Sequence, residues 1–494
     1  MNHLVRGWCP GALRPMQSGD GLIVRLRLSG GIVGTALAQE IAEWSRRWGN
    51  GQLDLSNRAN LQLRGLSPRD LPALHDAMAT WGLLDADPDA EAVRNVIASP
   101  LAGIDPDAVF DVRSVVRALE RRLVEDAVLH ALPGKFGFAI DDGGRFGLNG
   151  VPADVRFVAR RTGEGGGPQS SWPHLSSWPG LTRPPQQDLC AASPFRTVLA
   201  GVAGSSPAMT IGGAMTIGGP PVTIGGARTI GGPPVTIGGP PVTMGPPVTM
   251  GPPVTMAPTV HFDITLGDAS YGPCPPDAVP DIAAALARVL IDHPGVRRMT
   301  DLLTLLGPDE IARRAGLTRS TAAPPRRHTD PVGIHTLGHK ACLGVGLPFG
   351  RTNADDLTAL VTLAAQHGAE ELRLTPWRAI LVPLTGTEAA RALSAALPAG
   401  TFIHDPADPR RRIAACPGAP ACASATTPVR ADAAILAAYV ANEPGTGIVL
   451  HVSGCDKGCA HPGPAPLTLV ARHGRYHLIR NGTAAEPGEP VHLP

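Results

Sequence analysis

Two stretches of the chain carry the same succession of hydrophobic patterns. In 21–66, GLIVRLRL alternates apolar and polar positions, ALAQEIAEWSRRW sets its apolar residues at helical spacing, and LDLSNRANLQLRGL alternates again. In 343–384 the order returns as LGVGLPF, DDLTALVTLAAQHG and LRLTPWRAILVPL. Each copy reads strand, helix, strand, strand, which packs as one helix layer on a small sheet. A longer α/β stretch follows each copy, so the pattern predicts an α+β protein of two pseudo-symmetric halves, able to pair about a twofold axis. The domains expected are 10–72, 86–320, 334–396 and 402–494.

Between 165 and 258 the pattern fails. Units such as PPVTIGG and PPVTMG recur there with few charges. Short Gly/Pro-rich repeats bury too little apolar surface to offset the entropy of ordering, so a disordered insert is the expectation. DVRFVA at 154–159 and VHFDITL at 260–266 both alternate like strands, and the insert is read as the connection between two neighbouring strands. Closing a loop costs only about 0.6 kcal/mol more per doubling of its length, so a surface connection tolerates such an insertion.

With 494 residues, 43% of them hydrophobic, there is material for several cores. The formal net charge of +1 leaves no global field for nucleic acid or an anionic membrane surface, so an anionic partner must be bound locally. The N-terminal residues lack the apolar core of a signal peptide, and no run approaches the roughly 20 apolar residues of a membrane span, which points to a soluble cytoplasmic protein. Eight cysteines in such a chain are too few for a disulfide scaffold. Four of them crowd together as CPGAPAC (Cys416, Cys422) and CDKGC (Cys455, Cys459). Four thiolates in glycine-rich loops suit a 4Fe-4S cubane; a structural zinc site or a chance grouping of buried thiols are the alternatives. Cys9, Cys190, Cys274 and Cys342 are scattered and read as ordinary thiols. His335 and His339 have i, i+4 spacing, but flanking glycines weaken the helix that would align them.

The C-x5-C and C-x3-C pairs closing a duplicated α/β chain resemble the sulfite and nitrite reductase superfamily, whose cluster sits beside a sirohaem. SNRANLQLRG (56–65), RNVIASPLAG (94–103) and LPGKFGFAI (132–140) are similar to three of its motifs. The resemblance implies ferredoxin-like half-domains and, carried over position by position, Arg58, Arg94 and Lys135 as anchors for tetrapyrrole carboxylates, with Asn57, Gln62 and Asn95 adding neutral hydrogen bonds. Where the reductases have a second lysine, two residues beyond Lys135, this chain has Gly137, which removes a cation from an anion pocket. RGWCPGALRPMQSGDGLIVRLR (6–27) and HVSGCDKGCAHP (451–462) resemble the precorrin-3B synthase family. That implies a monooxygenase of cobalamin biosynthesis with precorrin-3A and O2 as substrates, the 4Fe-4S cluster, and a mononuclear non-haem iron. No dinucleotide fingerprint is present, so electrons are expected from an external donor, NADH acting through a separate reductase. His451, His461 and Asp456 surround the last cysteine pair and make up the right set for a facial triad, although such histidines are more often structural. A sirohaem-dependent reductase is the alternative activity. A non-enzymatic cluster or zinc protein is a third reading, kept open by the insert.

Overall fold

The structure, a computed structural model, describes residues 9–161, 259–321, 329–441 and 447–493. The expected disorder of 165–258 and the thiol of Cys190 lie outside the described residues.

The first copy of the repeated pattern forms β1 (Met16–Ser18), β2 (Gly21–Leu26), β3 (Ile32–Gly34), α1 (Thr35–Trp48), β4 (Gln52–Leu55), β5 (Leu61–Leu66) and α2 (Leu71–Thr80). On α1 the apolar positions Ala38, Ile41, Ala42 and Trp44 are buried while Glu40, Glu43, Arg46 and Arg47 face out, as a 3.6-residue period requires. A second mixed segment supplies α3 (Pro88–Val93), β6 (Val96–Ala98), α4 (Arg113–Glu125), β7 (Phe138–Asp141), β8 (Val155–Arg161), β9 (Val260–Leu266), β10 (Ala269–Cys274), α5 (Val279–Ile291), α6 (Met299–Leu306) and α7 (Pro308–Arg314).

The second copy gives β11 (Gly333–Leu337), β12 (Lys340–Gly346), β13 (Arg351–Asn353), α8 (Ala354–Gln366), β14 (Glu371–Leu374), β15 (Ala379–Leu384) and α9 (Thr387–Ala396). Asn353 caps α8 by accepting from the Asp356 amide at 2.8 Å, and Asp355 and Asp356 in the first turn suit the helix dipole. The last segment adds β16 (Ile413–Ala415), α10 (Val429–Val440), β17 (Leu450–Ser453), β18 (Ala465–Arg472), β19 (Arg475–Gly482) and β20 (Glu489–Val491). No helix aligns His335 and His339, as the flanking glycines implied: His335 lies on β11, its ring edge-on to Phe146 at 5.1 Å, and His339 sits in the turn to β12. The flanking glycines serve the hairpin, Gly338 adopting φ 64°.

The two small units are interlocked. Their sheets run β1-β2-β5-β4-β13 and β11-β12-β15-β14-β3, so each unit lends its three-residue strand to the other's sheet. Leu26, Leu53, Leu63, Val345, Leu360 and Val382 belong to one shared hydrophobic core, which makes the pair a single packing unit. The larger sheets correspond strand for strand: β6-β7-β8-β9-β10 and β16-β17-β18-β19-β20 each have three parallel strands followed by antiparallel ones. β8 and β9 are antiparallel neighbours, so the repeats do fall in the connection between adjacent strands. Among the described residues no helix is long and apolar enough to cross a membrane.

Candidate functional site

The four clustered cysteines lie in the loops that leave the C-terminal ends of the parallel strands β16 and β17, where crevices open in such sheets. Cys416 is buried, Cys422 and Cys455 are half-buried and Cys459 is exposed. The Gly454 amide donates to Cys416 Sγ at 3.2 Å, and the Cys422 amide donates to the Gly418 carbonyl at 2.8 Å. Gly418 has φ 69°, and a Cβ there would lie 2.6 Å from the Val429 nitrogen, so only glycine lets the first loop turn over the start of α10. Burial raises the thiol pKa of Cys416 against the Gly454 and Gly418 amides that favour its thiolate, with Cys422 and Cys455 raising it further. Cys459 is raised by burial and by Cys455, Cys416 and Cys422. Cys416 thus feels Cys422 and Cys455, and Cys459 feels all three other thiols. An all-thiol donor set with amide donors at the sulfur fits a cubane.

The first half has the same backbone arrangement with different chemistry. Cys416 N donates to the Val452 carbonyl and Gly454 N to Cys416 Sγ; correspondingly, Ser99 N donates to the Ile140 carbonyl at 3.1 Å and Asp142 N to Ser99 Oγ at 2.9 Å. Ser99 therefore occupies the position of Cys416, and buried Asp141 and Asp142 stand near the positions of the second cysteine loop. Burial, with Asp141 and Asp105 adding to it, pushes the Asp142 carboxyl up to about 7.

Basic residues of the first half form a second site. Arg25 and Arg27, at the end of β2, are buried at 7% and 5% exposure. Arg58 comes from the turn between β4 and β5 and donates to the Lys135 carbonyl at 2.6 Å. Arg25 Nη1, Arg27 Nε and Arg58 Nη1 are buried without hydrogen-bond partners. With its amide turned to accept, Gln62 takes two bonds from Arg25, at 2.8 and 3.2 Å. The Cys9 thiol lies in this group; against the upward push of burial, Arg25, Arg58 and Arg27 lower its pKa. Burial and neighbouring Arg25 pull the Arg27 guanidinium down to about 10.

Of the anchors expected from the sequence, Arg58, Gln62 and Lys135 border this cationic cradle, Lys135 at the exposed rim. Asn57 is exposed. Arg94 and Asn95 instead build its wall. Arg94 is forked onto Asp85 at 2.7 and 3.1 Å, with its remaining nitrogen on the Arg27 carbonyl, and Asn95 holds Arg27 Nη1 while donating to the Ala92, Gly134 and Phe136 carbonyls. Gly137 is bonded to Asp154 through its own backbone, and a Cβ there would sit 3.3 Å from the Asn95 carbonyl oxygen. Arg25, Arg27 and Cys9 were missed in the sequence because the polar positions of an alternating strand read as solvent-facing; the spacing of GLIVRLR carries no mark of burial.

The facial triad does not form. Asp456 instead accepts from Arg472 Nε at 2.8 Å. His451 and His461 do meet, their rings edge to face at 5.9 Å, and His451 is fully buried with neither ring nitrogen partnered. Burial, with His461 beside it, brings His451 down to about 4. Among the described residues no three His, Cys, Asp or Glu side chains, the four cysteines included, are gathered closely enough to hold a single metal ion.

Residues 14–80 and 336–399 match the nitrite/sulfite reductase ferredoxin-like half domain, in step with the two interlocked small units. The NirA protein of Mycobacterium tuberculosis shares the fold, with a TM-score of 0.63 and 18% identity over 96% of this chain and 77% of that one. The ferredoxin-nitrite reductase of Synechococcus elongatus is 34% identical over 30% of this chain and 29% of its own. The architecture is that of the nitrite and sulfite reductase superfamily of oxidoreductases. Within it, a precorrin-3B synthase from Sinorhizobium sp is 30% identical over 97% of this chain and 83% of its own length. The chain belongs to the precorrin-3B synthase family.

Proposed function

We propose that the chain converts precorrin-3A to precorrin-3B in aerobic cobalamin biosynthesis, hydroxylating C20 and closing an acetate side chain into a γ-lactone with dioxygen. The observation that carries this reading is the set of buried guanidinium nitrogens without acceptors on Arg25, Arg27 and Arg58. Leaving a buried cation unpaired is costly, and a polycarboxylate tetrapyrrole supplies the missing charged acceptors. Arg25, Arg27 and Arg58 would hold carboxylates in the interior and Lys135 at the rim, while Arg94 and Asn95 keep Arg27 in place. Arginine's planar fork suits this task, each charge-assisted bond contributing about 1.5–3 kcal/mol.

Cys416, Cys422, Cys455 and Cys459 would hold a 4Fe-4S cluster, which when bound transfers single electrons. Around it the Gly454 amide stabilises the Cys416 thiolate, and the exposed edge at Cys459 faces an external donor, NADH acting through a separate reductase. Gly137 is compatible with this reaction because neutral dioxygen needs no additional cation, whereas sulfite or nitrite would. The reaction would run in the cytoplasm.

The test is turnover of precorrin-3A with a chemical or enzymatic reductant under labelled dioxygen. A product carrying one labelled oxygen atom is expected, with none formed anaerobically. Reduction of sulfite or nitrite without action on precorrin-3A would overturn the assignment in favour of a sirohaem-dependent reductase.

A further inference from the structure

The first cysteine loop is held from outside its own sheet. Arg64, on β5, is 2% exposed and donates from Nη2 to the carbonyl of Ala421, the residue before Cys422, at 2.7 Å. Ser18 Oγ donates to the same carbonyl at 2.6 Å. Beside them Gly19 comes so close to the loop that a Cβ there would lie 2.3 Å from the Pro420 oxygen. Arg64 also forks onto Asp20 at 2.8 and 2.9 Å and reaches Asp54 at 3.1 Å. Asp54 in turn accepts from Arg351 at 2.8 and 3.0 Å and from Arg430, the second residue of α10, at 2.7 Å. One knot therefore joins the first small unit (Asp20, Asp54, Arg64), the second (Arg351) and the cysteine-bearing segment (Arg430, Ala421).

Its charges do not cancel. Three guanidiniums meet two carboxylates, and Arg378 lies within electrostatic reach of Asp54. Arg430 Nε is buried without a partner. A net positive charge kept out of water needs an anionic neighbour, or it destabilises the fold. A cubane with four thiolates carries net negative charge that increases on reduction, and outside its own ion pairs the knot grips the Ala421 carbonyl next to Cys422, with Ser18 and Asn50 as its neutral neighbours.

We propose that the Arg64–Asp54–Arg430 knot is a positioning and potential-setting device for the cluster, a reading that rests on the cluster assignment above. Its surplus positive charge favours the reduced cluster, and its grip on Ala421 fixes the loop that presents Cys422. The charge and the grip are separable. Arg64→Gln and Arg430→Gln each remove one positive charge, Arg64→Lys keeps the charge but loses the fork, and Ser18→Ala weakens the grip without touching the charge.

The experiment is anaerobic redox titration of the purified holoprotein, followed by EPR, together with the rate of iron release to a chelator. Arg64→Gln and Arg430→Gln are expected to shift the reduction equilibrium about tenfold against the reduced form, about 59 mV for one electron. Arg64→Lys should restore most of that shift, and Ser18→Ala should hasten iron loss at an unchanged potential. If Arg64→Gln does not fold, the more exposed Arg430→Gln carries the test. Potentials unmoved in every folded variant that loses a charge, with the cluster present, would overturn the proposal alone. A wild-type protein without a cluster would overturn the assignment beneath it.

Discussion

The sheets β6–β10 and β16–β20 share strand order, strand direction and the hydrogen bond that ties the first loop to the second, yet they carry opposite chemistry. At the shared position one sheet has the hydroxyl of Ser99 receiving the Asp142 amide, the other the thiol of Cys416 receiving the Gly454 amide. Duplication supplied two crevices at the ends of parallel strands. Side chains alone decided that the second gathers thiols, while the first gathers carboxylates behind its strands and leaves its arginines to the neighbouring cradle. The sheets also differ in one connection: β18 passes to β19 through His473 and Gly474, whereas β8 reaches β9 only after the repeats.

The largest effect should come from erasing the difference at its centre. Cys416→Ser makes the second crevice resemble the first, and loss of most iron and sulfide is expected, read by metal analysis. Next, Arg25→Ala or Arg27→Ala should weaken tetrapyrrole binding by about 1.5–3 kcal/mol, roughly ten- to a hundredfold, with iron content unchanged by direct binding titration. Lys135→Ala, at the rim, should cost less, since exposed charges contribute about 1 kcal/mol or below.

A smaller, pH-dependent effect belongs to the first crevice alone. The Asp142 carboxyl titrates higher in the fold, at about 7, than the roughly 3.9 of an unfolded chain, so its contribution to stability is full below the unfolded value and is lost as pH rises through the folded one. Denaturant unfolding should show wild type losing about 1–3 kcal/mol between pH 5 and 8 relative to Asp142→Asn. The smallest effect on the cluster itself is expected from replacing 162–258 by a two-residue turn like His473–Gly474. Cluster content should persist, and stability should rise by about 3 kcal/mol, five to six halvings of loop length at roughly 0.6 kcal/mol each.

Much of the framework was legible because it rests on periodicity. The helical spacing in ALAQEIAEWSRRW and the alternation in its flanking strands recur in the second copy, and both copies form the elements they imply. The exchange of β3 and β13 was not legible, since three-residue strands leave no periodic trace. The cysteine loops stood out by residue type and spacing. The cradle was half legible: motif positions led to Arg58, Gln62 and Lys135, but also to Arg94 and Asn95, whose donors are spent inside the protein. Arg25, Arg27, Arg64 and Asp54 were hidden because charge on a strand reads as exposure until partners from distant segments are brought beside it. The triad of His451, His461 and Asp456 was suggested by closeness in sequence, but the Asp456 carboxylate is taken by Arg472, which lies far from it in sequence.

The most direct test is what the protein carries when purified without oxygen, measured as its visible spectrum with iron, sulfide and zinc content. Broad iron-sulfur absorption without sirohaem bands, at about four irons and four sulfides per chain, is the expected result. Sharp sirohaem bands, or zinc in place of iron, would contradict it.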